Sequence, residues 1–595
     1  MLGLFGAVGA AIAVALPALG QEAPESLLPP GFGNAPPKPP AGSGAPMPAP
    51  AASGTTAPPS AVADESIAVS TPALLPADIA KLVEAEITPP EEMPAGAKRA
   101  LELVGTQPIY GANAFGDADG RYVVTLMRRL QTPIASRWTQ IMLRRALMGA
   151  TPAPRGAGRA DWVADRAALL LRLGEADAAR MLVQGVDVDR FSPRLRRVAI
   201  ATALATADPL GLCPLPDGGE QVGGQPAWPM IRAMCATLAG DTATANATIG
   251  RAPSGDPIDH KLAEKLVVAG GGGRRQVQID WTAVDTLTDW RFGLSGALGV
   301  AIPQSLFSSG PIWFQAWQAR VPGLSAADRI GAARIAAALG VVSSADLVDL
   351  YGRVMDEAGD ADTSSPAGRL RAAYRGDDDD ARLSAMHALW DAAANGDGGE
   401  RDRYAASILT ARAAAGITAS SDQKDDVAAL VASMFAAGLD LQAERWAGVA
   451  QSTSGADGDR AWAILAVGAS RPIMDVSVTR VRKFADRAGA SGAQRSALLI
   501  SALAGLGRLS DADAARLAAR LGVTLGQPSP YASALRRAVT ARERGTVALL
   551  VAIGMQTPTW TGVPASDFYQ MVSALRAVGM ESEARMISAE AMARL

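Results

Sequence analysis

The chain has 595 residues, of which 49% are hydrophobic but only 5% are aromatic, and alanine supplies much of the apolar share. Alanine favours helices more than any other residue and fits poorly in strands, so the composition predicts an all-α fold. The formal net charge of −3 gives no global positive field that would attract nucleic acids or anionic membranes, which argues against both as partners.

Residues 1–20 form an apolar run that ends in Ala18, Leu19 and Gly20, with small residues three positions and one position before Gln21. This is the pattern of a secretory signal peptide, although no lysine or arginine precedes the apolar core. We therefore expect a periplasmic or secreted protein of the bacterial envelope. The alternative is an uncleaved N-terminal anchor, since the run is about long enough to span a bilayer. Only in that case do we expect membrane contact.

Residues 21–75 are rich in proline, alanine, glycine and serine, a composition that does not support a packed core. This segment is predicted to be a disordered linker with polyproline II character. Such a linker acts as a semi-rigid spacer, which suits a protein that stands clear of a membrane or a peptidoglycan layer.

Two helical-repeat regions are predicted, at 76–270 and 323–595. Apolar residues recur there at i, i+3, i+4 and i+7 between breaks at Gly, Pro or Asp, which is the pattern of amphipathic helices. Residues 121–148, for example, contain two such stretches separated near Pro133. The acidic run at 377–380 is predicted to begin a helix, because carboxylates complement the helix dipole at that end.

A recurring turn joins the predicted helices: one helix ends in glycine, four residues follow, and an alanine opens the next helix. Glycine suits this position because it adopts the left-handed conformation that ends many helices. Alanine allows the second helix to pack closely against the first. The pattern occurs at Gly174 with Ala179, Gly240 with Ala245, Gly340 with Ala345, Gly438 with Ala443, Gly507 with Ala512, and Gly579 with Ala584.

The turn pattern resembles the tetratricopeptide repeat, a helix–turn–helix unit of about 34 residues with a glycine and a small residue at this offset. Successive turn glycines are 66, 100, 98, 69 and 72 residues apart, close to two or three such units. The aromatic positions of the repeat's first helix are absent, and its closing proline has a counterpart only near Pro257. The resemblance covers scattered stretches from about 166 to 595. It implies an α-solenoid of antiparallel helix pairs whose concave face binds a partner.

The segment 271–322 is the least repeat-like part of the helical body and holds four of the eleven tryptophans. Two interpretations are open. The aromatic side chains form a partner-binding patch, since Trp is enriched at binding hot spots, or they fill the core where the array changes curvature. The candidate partner-binding residues are Trp281, Trp290, Trp313, Phe314 and Trp317.

Cys213 and Cys235 are the only cysteines of the chain. In an exported protein they are predicted to form a disulfide, whereas in the cytosol they would remain thiols. The alternative is that both are small buried residues of an alanine-rich core.

The sequence carries no recognisable signature of catalysis, metal binding or cofactor binding. Its two histidines, His260 and His387, lie outside known motifs. Gly270–Gly273 lacks the Lys-Ser or Lys-Thr of a phosphate loop and is predicted to be a linker. We therefore expect no catalytic residues, no metal and no cofactor.

The sequence favours a non-catalytic scaffold or adaptor that binds another protein or an envelope polymer, and not nucleic acid. Two alternatives stay open. One is a muramidase-like enzyme that cleaves glycans with carboxylates, although the Glu-Ser pairs at residues 25, 65 and 581 lie in the linker or in a repeat turn. The other is a purely structural component of the envelope.

Overall fold

The computed structural model describes residues 98–116, 118–215, 227–252, 256–272, 275–358, 362–489 and 492–595. The predicted signal peptide at 1–20, the predicted linker at 21–75 and residues 76–97 lie outside these ranges. The described part is all-α, as predicted: it contains no β-strand, and its β-type pairing is limited to two isolated bridges. None of its helices combines the length and the apolar character needed to cross a membrane.

Twenty-seven α-helices, named α1 to α27 in chain order, make up most of the described residues. Helices α1 to α9 are Gly120–Arg129, Arg137–Met148, Arg159–Arg172, Ala176–Gln184, Pro193–Ala205, Ala227–Leu238, Thr242–Ile249, Pro257–Gly270 and Asp289–Leu298. Helices α10 to α18 are Gln304–Ser309, Trp313–Gln318, Ala326–Leu339, Ser344–Ala358, Pro366–Arg375, Asp379–Asn395, Gly399–Ala415, Val427–Ala436 and Asp440–Glu444. Helices α19 to α27 are Ala447–Ser452, Gly455–Gly468, Val478–Ala488, Ala493–Gly505, Asp511–Arg520, Pro530–Thr540, Arg544–Gly554, Ala565–Ala577 and Glu581–Arg594.

Helices begin at the polar residues that the sequence offers as caps. The Asp378 carboxylate accepts the N–H of Ala381 at 2.8 Å, and Asp379 and Asp380 lie in the first turn of α15. The acidic run therefore begins a helix, as predicted, and its charge complements the helix dipole. Helices α1 and α2 likewise flank Pro133, where the sequence predicts a break.

The six predicted turn glycines all have positive φ, between +68° and +101°, and each follows the end of a helix. In each turn the glycine N–H bonds to the carbonyl three residues back, and the next N–H bonds to the carbonyl five residues back. At Gly174, for example, the Glu175 N–H bonds to the Leu170 oxygen at 2.9 Å. These hydrogen bonds define the Schellman arrangement that satisfies the last carbonyls of a helix.

Two further turns of the same kind contain no glycine. Ala207 and Arg542 have φ of +50° and +56°, and the residue after each donates its N–H to the carbonyl five positions back. Ala207 lies 33 residues from the predicted turn glycine on either side, so the turns between Gly174 and Gly240 recur at intervals close to the predicted period. Arg542 lies 35 residues after Gly507 and 37 before Gly579, but a Schellman turn at Gly522 interrupts the first interval, since the Val523 N–H bonds to the Ala518 carbonyl.

Helix α2 packs against helices that are far from it in sequence, namely α12, α25 and α27, as well as against its neighbours α3 and α4. Two of the turns approach it closely. A Cβ at Gly340 would lie 2.9 Å from the Arg137 carbonyl oxygen, and one at Gly438 would lie 2.9 Å from the Trp138 ring. Unlike an ideal solenoid, in which each unit contacts only its neighbours, this array packs its first helices against its last.

A buried carboxylate fixes the start of α2. Glu590 of α27 is 2% exposed, and it accepts hydrogen bonds from the Ser136 hydroxyl at 2.6 Å and from the N–H groups of Arg137 and Trp138 at 2.9 and 3.2 Å. It also forms an ion pair with Arg594 at 2.7 Å. The carboxylate thus satisfies N–H groups that have no partner within the helix.

The Arg137 side chain caps the C-terminal ends of two other helices. Its guanidinium is buried and donates to the carbonyl oxygens of Ala337 at 2.8 Å and Ala436 at 2.9 Å, in the last turns of α12 and α17. Cations are favourable at helix C-termini, because the carbonyls there carry partial negative charge. One residue of α2 therefore joins two helix ends 200 to 300 residues further along the chain.

Replacing Glu590 with alanine should lower the free energy of unfolding by about 3–5 kcal/mol, because it removes one of the two carboxylates that pair with the buried Arg594 and leaves three donors at the start of α2 without their acceptor. Denaturation with guanidinium, followed by circular dichroism, measures this change. The matched control is Glu581→Ala, at an exposed position of the same helix, which should change stability by less than about 0.5 kcal/mol. Equal effects of the two substitutions would contradict the role assigned to Glu590.

Cys213 and Cys235 form a disulfide, as predicted for an oxidising compartment, with their Cα atoms 5.5 Å apart. Cys213 follows a short 3-10 helix, Pro209–Leu212, and Cys235 lies in α6. The bridge therefore connects the end of one helical pair to the first helix of the next. It closes a loop with a sequence separation of 22 residues.

The double substitution Cys213→Ser with Cys235→Ser should lower the free energy of unfolding by about 3 kcal/mol. The unfolded chain gains conformational entropy when a loop of this length is no longer closed by the disulfide. Urea denaturation of the oxidised protein measures the loss. Wild-type protein kept under reducing conditions is the matched control and should behave like the double variant. Alkylation of both thiols in native, unreduced protein would contradict the bridge.

Candidate functional site

The five aromatic residues singled out by the sequence divide into two groups. Trp290 of α9 and Phe314 and Trp317 of α11 are only 9%, 3% and 2% exposed and belong to the hydrophobic core. Trp281 and Trp313 are partly exposed and pack against that core from outside. The core-filling interpretation therefore describes the first three, and only Trp281 and Trp313 offer ring surface to a partner.

The buried rings pack around Phe292. Its ring centroid lies 5.6 Å from that of Trp317 and 6.5 Å from that of Phe307, both in edge-to-face geometry. The indole N–H of Trp317 donates to the Leu171 carbonyl at 3.2 Å, which ties this cluster to α3 across the predicted boundary at residue 270. Such pairs contribute roughly 0.5–1.5 kcal/mol beyond area burial, so the cluster holds α9 and α11 in place.

Helix α9 can approach α5 closely because it carries glycine at the contact. A Cβ at Gly293 would lie 2.6 Å from the Leu204 carbonyl oxygen and 2.7 Å from its Cα. Any larger side chain would push the two helices apart. This contact sets the width of the groove that opens beside it.

A groove of about 570 Å³, here called the aromatic groove, opens between α5, α9 and α11. Its walls are mostly apolar, and Trp313 is the large, partly exposed ring among them. The lining residues are Arg197, Ile200, Ala201, Leu204, Met230, Asp259, Leu287, Thr288, Asp289, Trp290, Pro311, Trp313 and Phe314. Apolar walls with a few polar groups are typical of ligand and peptide sites.

One of the two carboxylates in the aromatic groove is engaged by the protein itself. Asp259 accepts a hydrogen bond from the Arg291 Nε at 2.8 Å, and Arg291 also forms an ion pair with Asp256. The backbone oxygen of Asp259 accepts the indole N–H of Trp290 at 3.0 Å. Asp259 therefore acts as a structural anchor between α8 and α9.

Asp289 is different, because no described residue gives its carboxylate a hydrogen bond or an ion pair. Burial alone raises its pKa from the ordinary value to about 6, since the charged form loses hydration without receiving a compensating partner. Arg197 lines the same groove but makes no ion pair with Asp289 within the described part of the chain. The groove thus combines apolar walls with one uncompensated negative charge.

A larger cavity, of about 830 Å³, lies between α4, α5 and residues 208–215. Lys98 pairs with Asp189 at 3.2 Å and Arg180 pairs with Asp208 at its rim. Asp187 accepts the backbone N–H of Arg99 at 2.7 Å, and the Arg99 guanidinium donates to the Gln184 carbonyl. Since these charges already have partners, the cavity offers a ligand less specific chemistry than the aromatic groove does.

The two histidines line neither of these cavities. His387 lies 2.6 Å from Asp426 and packs against Trp390, while the His260 ring contacts the Ile249 carbonyl at 3.0 Å. Within the described ranges no three His, Cys, Asp or Glu side chains lie close enough to hold a metal ion. Sequence reasoning missed Asp289, since an aspartate at a helix N-terminus is ordinarily a cap.

Comparison with known proteins returns no family model, no curated protein and no solved structure that matches this chain. The fold and the groove define the class of the protein at this level: an all-helical protein with several Schellman turns and a candidate binding groove.

Replacing Asp289 with asparagine should raise stability at pH 7.5 by about 1–3 kcal/mol, because it removes the cost of burying an unpaired carboxylate. The folded-state pKa of about 6 lies above the unfolded value, so this cost is present above pH 6 and is relieved as the pH falls from 6 towards 4. The gain should therefore shrink at pH 4.5. Thermal unfolding of both proteins at several pH values measures it.

The matched control is Asp285→Asn, at an exposed position that does not line the groove. It should change stability by less than about 0.5 kcal/mol at either pH. A destabilising effect of Asp289→Asn at pH 7.5 would show that the carboxylate has a partner within the protein.

Proposed function

We propose that this protein is an exported, non-catalytic helical-repeat scaffold or adaptor that holds a protein partner in the aromatic groove. The single observation that carries the proposal is the uncompensated Asp289 carboxylate beside the partly exposed Trp313 ring in an apolar groove. A buried charge without a partner is unfavourable on its own, and a bound cation would reverse that penalty.

The partner we propose presents an apolar side chain next to a basic one. The apolar group would displace water from the Trp313 ring, and a lysine or arginine would reach the Asp289 carboxylate. Ring surfaces of tryptophan are common anchors at protein interfaces, and arginine forms the strongest charge-assisted hydrogen bonds with carboxylates. An envelope polymer with amine groups would satisfy the same chemistry and is the second class of partner.

The proposed compartment is the periplasm or the outside of the cell. The apolar run at 1–20 supports export, and the Cys213–Cys235 disulfide is the kind of bond that persists in oxidising compartments. The tetratricopeptide-like architecture is proposed on the turn pattern and on the intervals between Schellman turns, since repeat arrays of this kind commonly bind other proteins.

The test is site-specific photo-crosslinking in cells, with a photoreactive amino acid replacing Trp313. We expect an adduct of one defined mass that disappears when Asp289→Lys is added, because the new positive charge repels the basic group of the partner. Met181, which is 57% exposed on α4, is the control position and should yield no such adduct.

Three results would count against the proposal. Identical adducts at positions 181 and 313 would indicate random encounters, and absence of any adduct at 313 would favour a purely structural component. Protein found in the cytosol on fractionation, with residues 1–20 retained in intact-mass measurement, would contradict export.

A glycan-cleaving enzyme is the second candidate, and one observation favours it. An aspartate whose pKa is raised to about 6 can act as a general acid near neutral pH, as carboxyls of glycosidases do. Incubating the purified protein with peptidoglycan distinguishes the two candidates. Soluble fragments released by the wild type and lost in Asp289→Asn would establish the enzyme and overturn the scaffold proposal.

A further inference from the structure

A second cavity, here called the arginine cavity, has a volume of about 390 Å³ and shares no residue with the aromatic groove. Helices α15, α16, α17, α20, α22 and α27 supply its walls. Four arginines from four different helices line it. Arg594 of α27 pairs with Glu400 and Glu590, whereas Arg403 of α16, Arg460 of α20 and Arg495 of α22 make no ion pair among the described residues. The fold thus brings these three unpaired cations together from positions that are up to 92 residues apart.

Small side chains keep the arginine cavity open. Alanines of α15, α17 and α27 lie in its wall at positions where larger apolar residues would fill the space: Ala394, Ala429, Ala432 and Ala593. The Trp390 and Tyr404 rings complete the apolar part of the wall. Protein interiors are otherwise close-packed, so a cavity between six helices has room for an occupant.

The charges in the arginine cavity are not balanced. Glu400 is engaged by Arg594, which binds both of its oxygens at 2.6 and 2.8 Å. This leaves Asp391 as the other carboxylate side chain in the wall, against Arg403, Arg460 and Arg495. No ion pair links any of these three arginines to a carboxylate among the described residues.

Two of the arginines carry buried donors without an acceptor. The Nε atoms of Arg460 and Arg495 are inaccessible to solvent and have no hydrogen-bond partner, and the same is true of the Tyr404 hydroxyl. Arg460 donates one N–H of its guanidinium to the Ala593 carbonyl. Buried donors of this kind are rare in native proteins, and here three of them belong to residues that line one cavity.

Electrostatics agrees with the geometry. Burial lowers the pKa of Arg460 below its ordinary value, and the positive charges of Arg495 and Arg403 lower it further, while the nearby Asp457 carboxylate opposes part of this shift. Burial also lowers the pKa of Arg495. Both shifts mean that the guanidinium cations are less stable here than in water, and an anion between them would reverse this.

We propose that the arginine cavity binds one small ligand that carries phosphate or carboxylate groups, held by Arg403, Arg460 and Arg495. The planar guanidinium presents paired N–H donors that match the oxygens of these groups. Three such donors on separate helices suit a ligand with more than one acidic group. The apolar wall at Trp390 accommodates its remaining atoms.

Calorimetric titration of the full chain with two probes, inorganic pyrophosphate and citrate, tests the proposal at low ionic strength. We expect saturable binding of at least one probe with one site per chain. Binding of pyrophosphate alone assigns a phosphate ligand, binding of citrate alone assigns a carboxylate ligand, and binding of both supports their shared chemistry. Failure of both probes to bind overturns the proposal.

Variants that each remove one arginine charge test whether the probes bind in the arginine cavity. Arg495→Gln and Arg403→Gln should each weaken binding by at least about tenfold, because each removes a charge-assisted contact. Arg482→Gln, at an exposed position of α21 outside the cavity, is the matched control and should leave the affinity unchanged. Arg403 is exposed, so its variant folds even if Arg495→Gln does not. Equal weakening by Arg482→Gln overturns the proposal, since it indicates nonspecific attraction.

A variant that fills the cavity but leaves its charges unchanged tests whether the ligand occupies the cavity itself. Ala429→Leu retains all three arginines but fills part of the space, and Ala429 is only partly buried, so the fold tolerates the larger side chain. We expect this variant to lose binding by at least about tenfold while its circular dichroism spectrum stays that of the wild type. Wild-type affinity in Ala429→Leu would place the anion outside the cavity and overturn the proposal.

Discussion

The Glu590 carboxylate at the start of α2 is the interaction on which the arrangement of the helices depends. It supplies acceptors to the N-terminal N–H groups of α2 and a counter-ion to Arg594, and it does so in the core, where water cannot substitute. Arg137, the first residue of that helix, then satisfies carbonyls of α12 and α17. Because each of these groups is the hydrogen-bond partner of another, removal of one leaves several buried polar atoms without partners. The network therefore favours a single arrangement of the helices.

This network also connects the two candidate sites to a common frame. Arg594 pairs with Glu590 on one side and with Glu400 in the wall of the arginine cavity on the other. The aromatic groove attaches to the same frame through α3, because the Trp317 indole bonds to the Leu171 carbonyl and α3 packs against α2. Both sites are therefore built from rigid helices, which holds their side chains in fixed positions.

Features that depend on neighbouring residues could be predicted from the sequence. The turn glycines, the cap at Asp378 and the break at Pro133 were correct because a few adjacent residues decide them. Ala207 and Arg542 form the same turn, but neither residue type favours positive φ, so the sequence carries no local signal for it. The contact of Arg137 with Glu590, 453 residues apart, leaves no periodic trace in the chain. Likewise, a tryptophan's identity does not reveal whether it is buried.

The buried charges show how a structural group differs from a candidate binding group in this fold. Glu175 is buried, whereas Asp289 is partly exposed. The pKa of Glu175 is raised to about 7, yet Arg144 lies 3.1 Å away and offsets part of the cost. Asp289 and Arg495 have no such partner among the described residues. A protein gains nothing in stability from an isolated buried charge, and departures from the rules of stable packing concentrate at functional sites. Two such departures of opposite sign, in separate cavities, therefore point to two ligands of opposite charge.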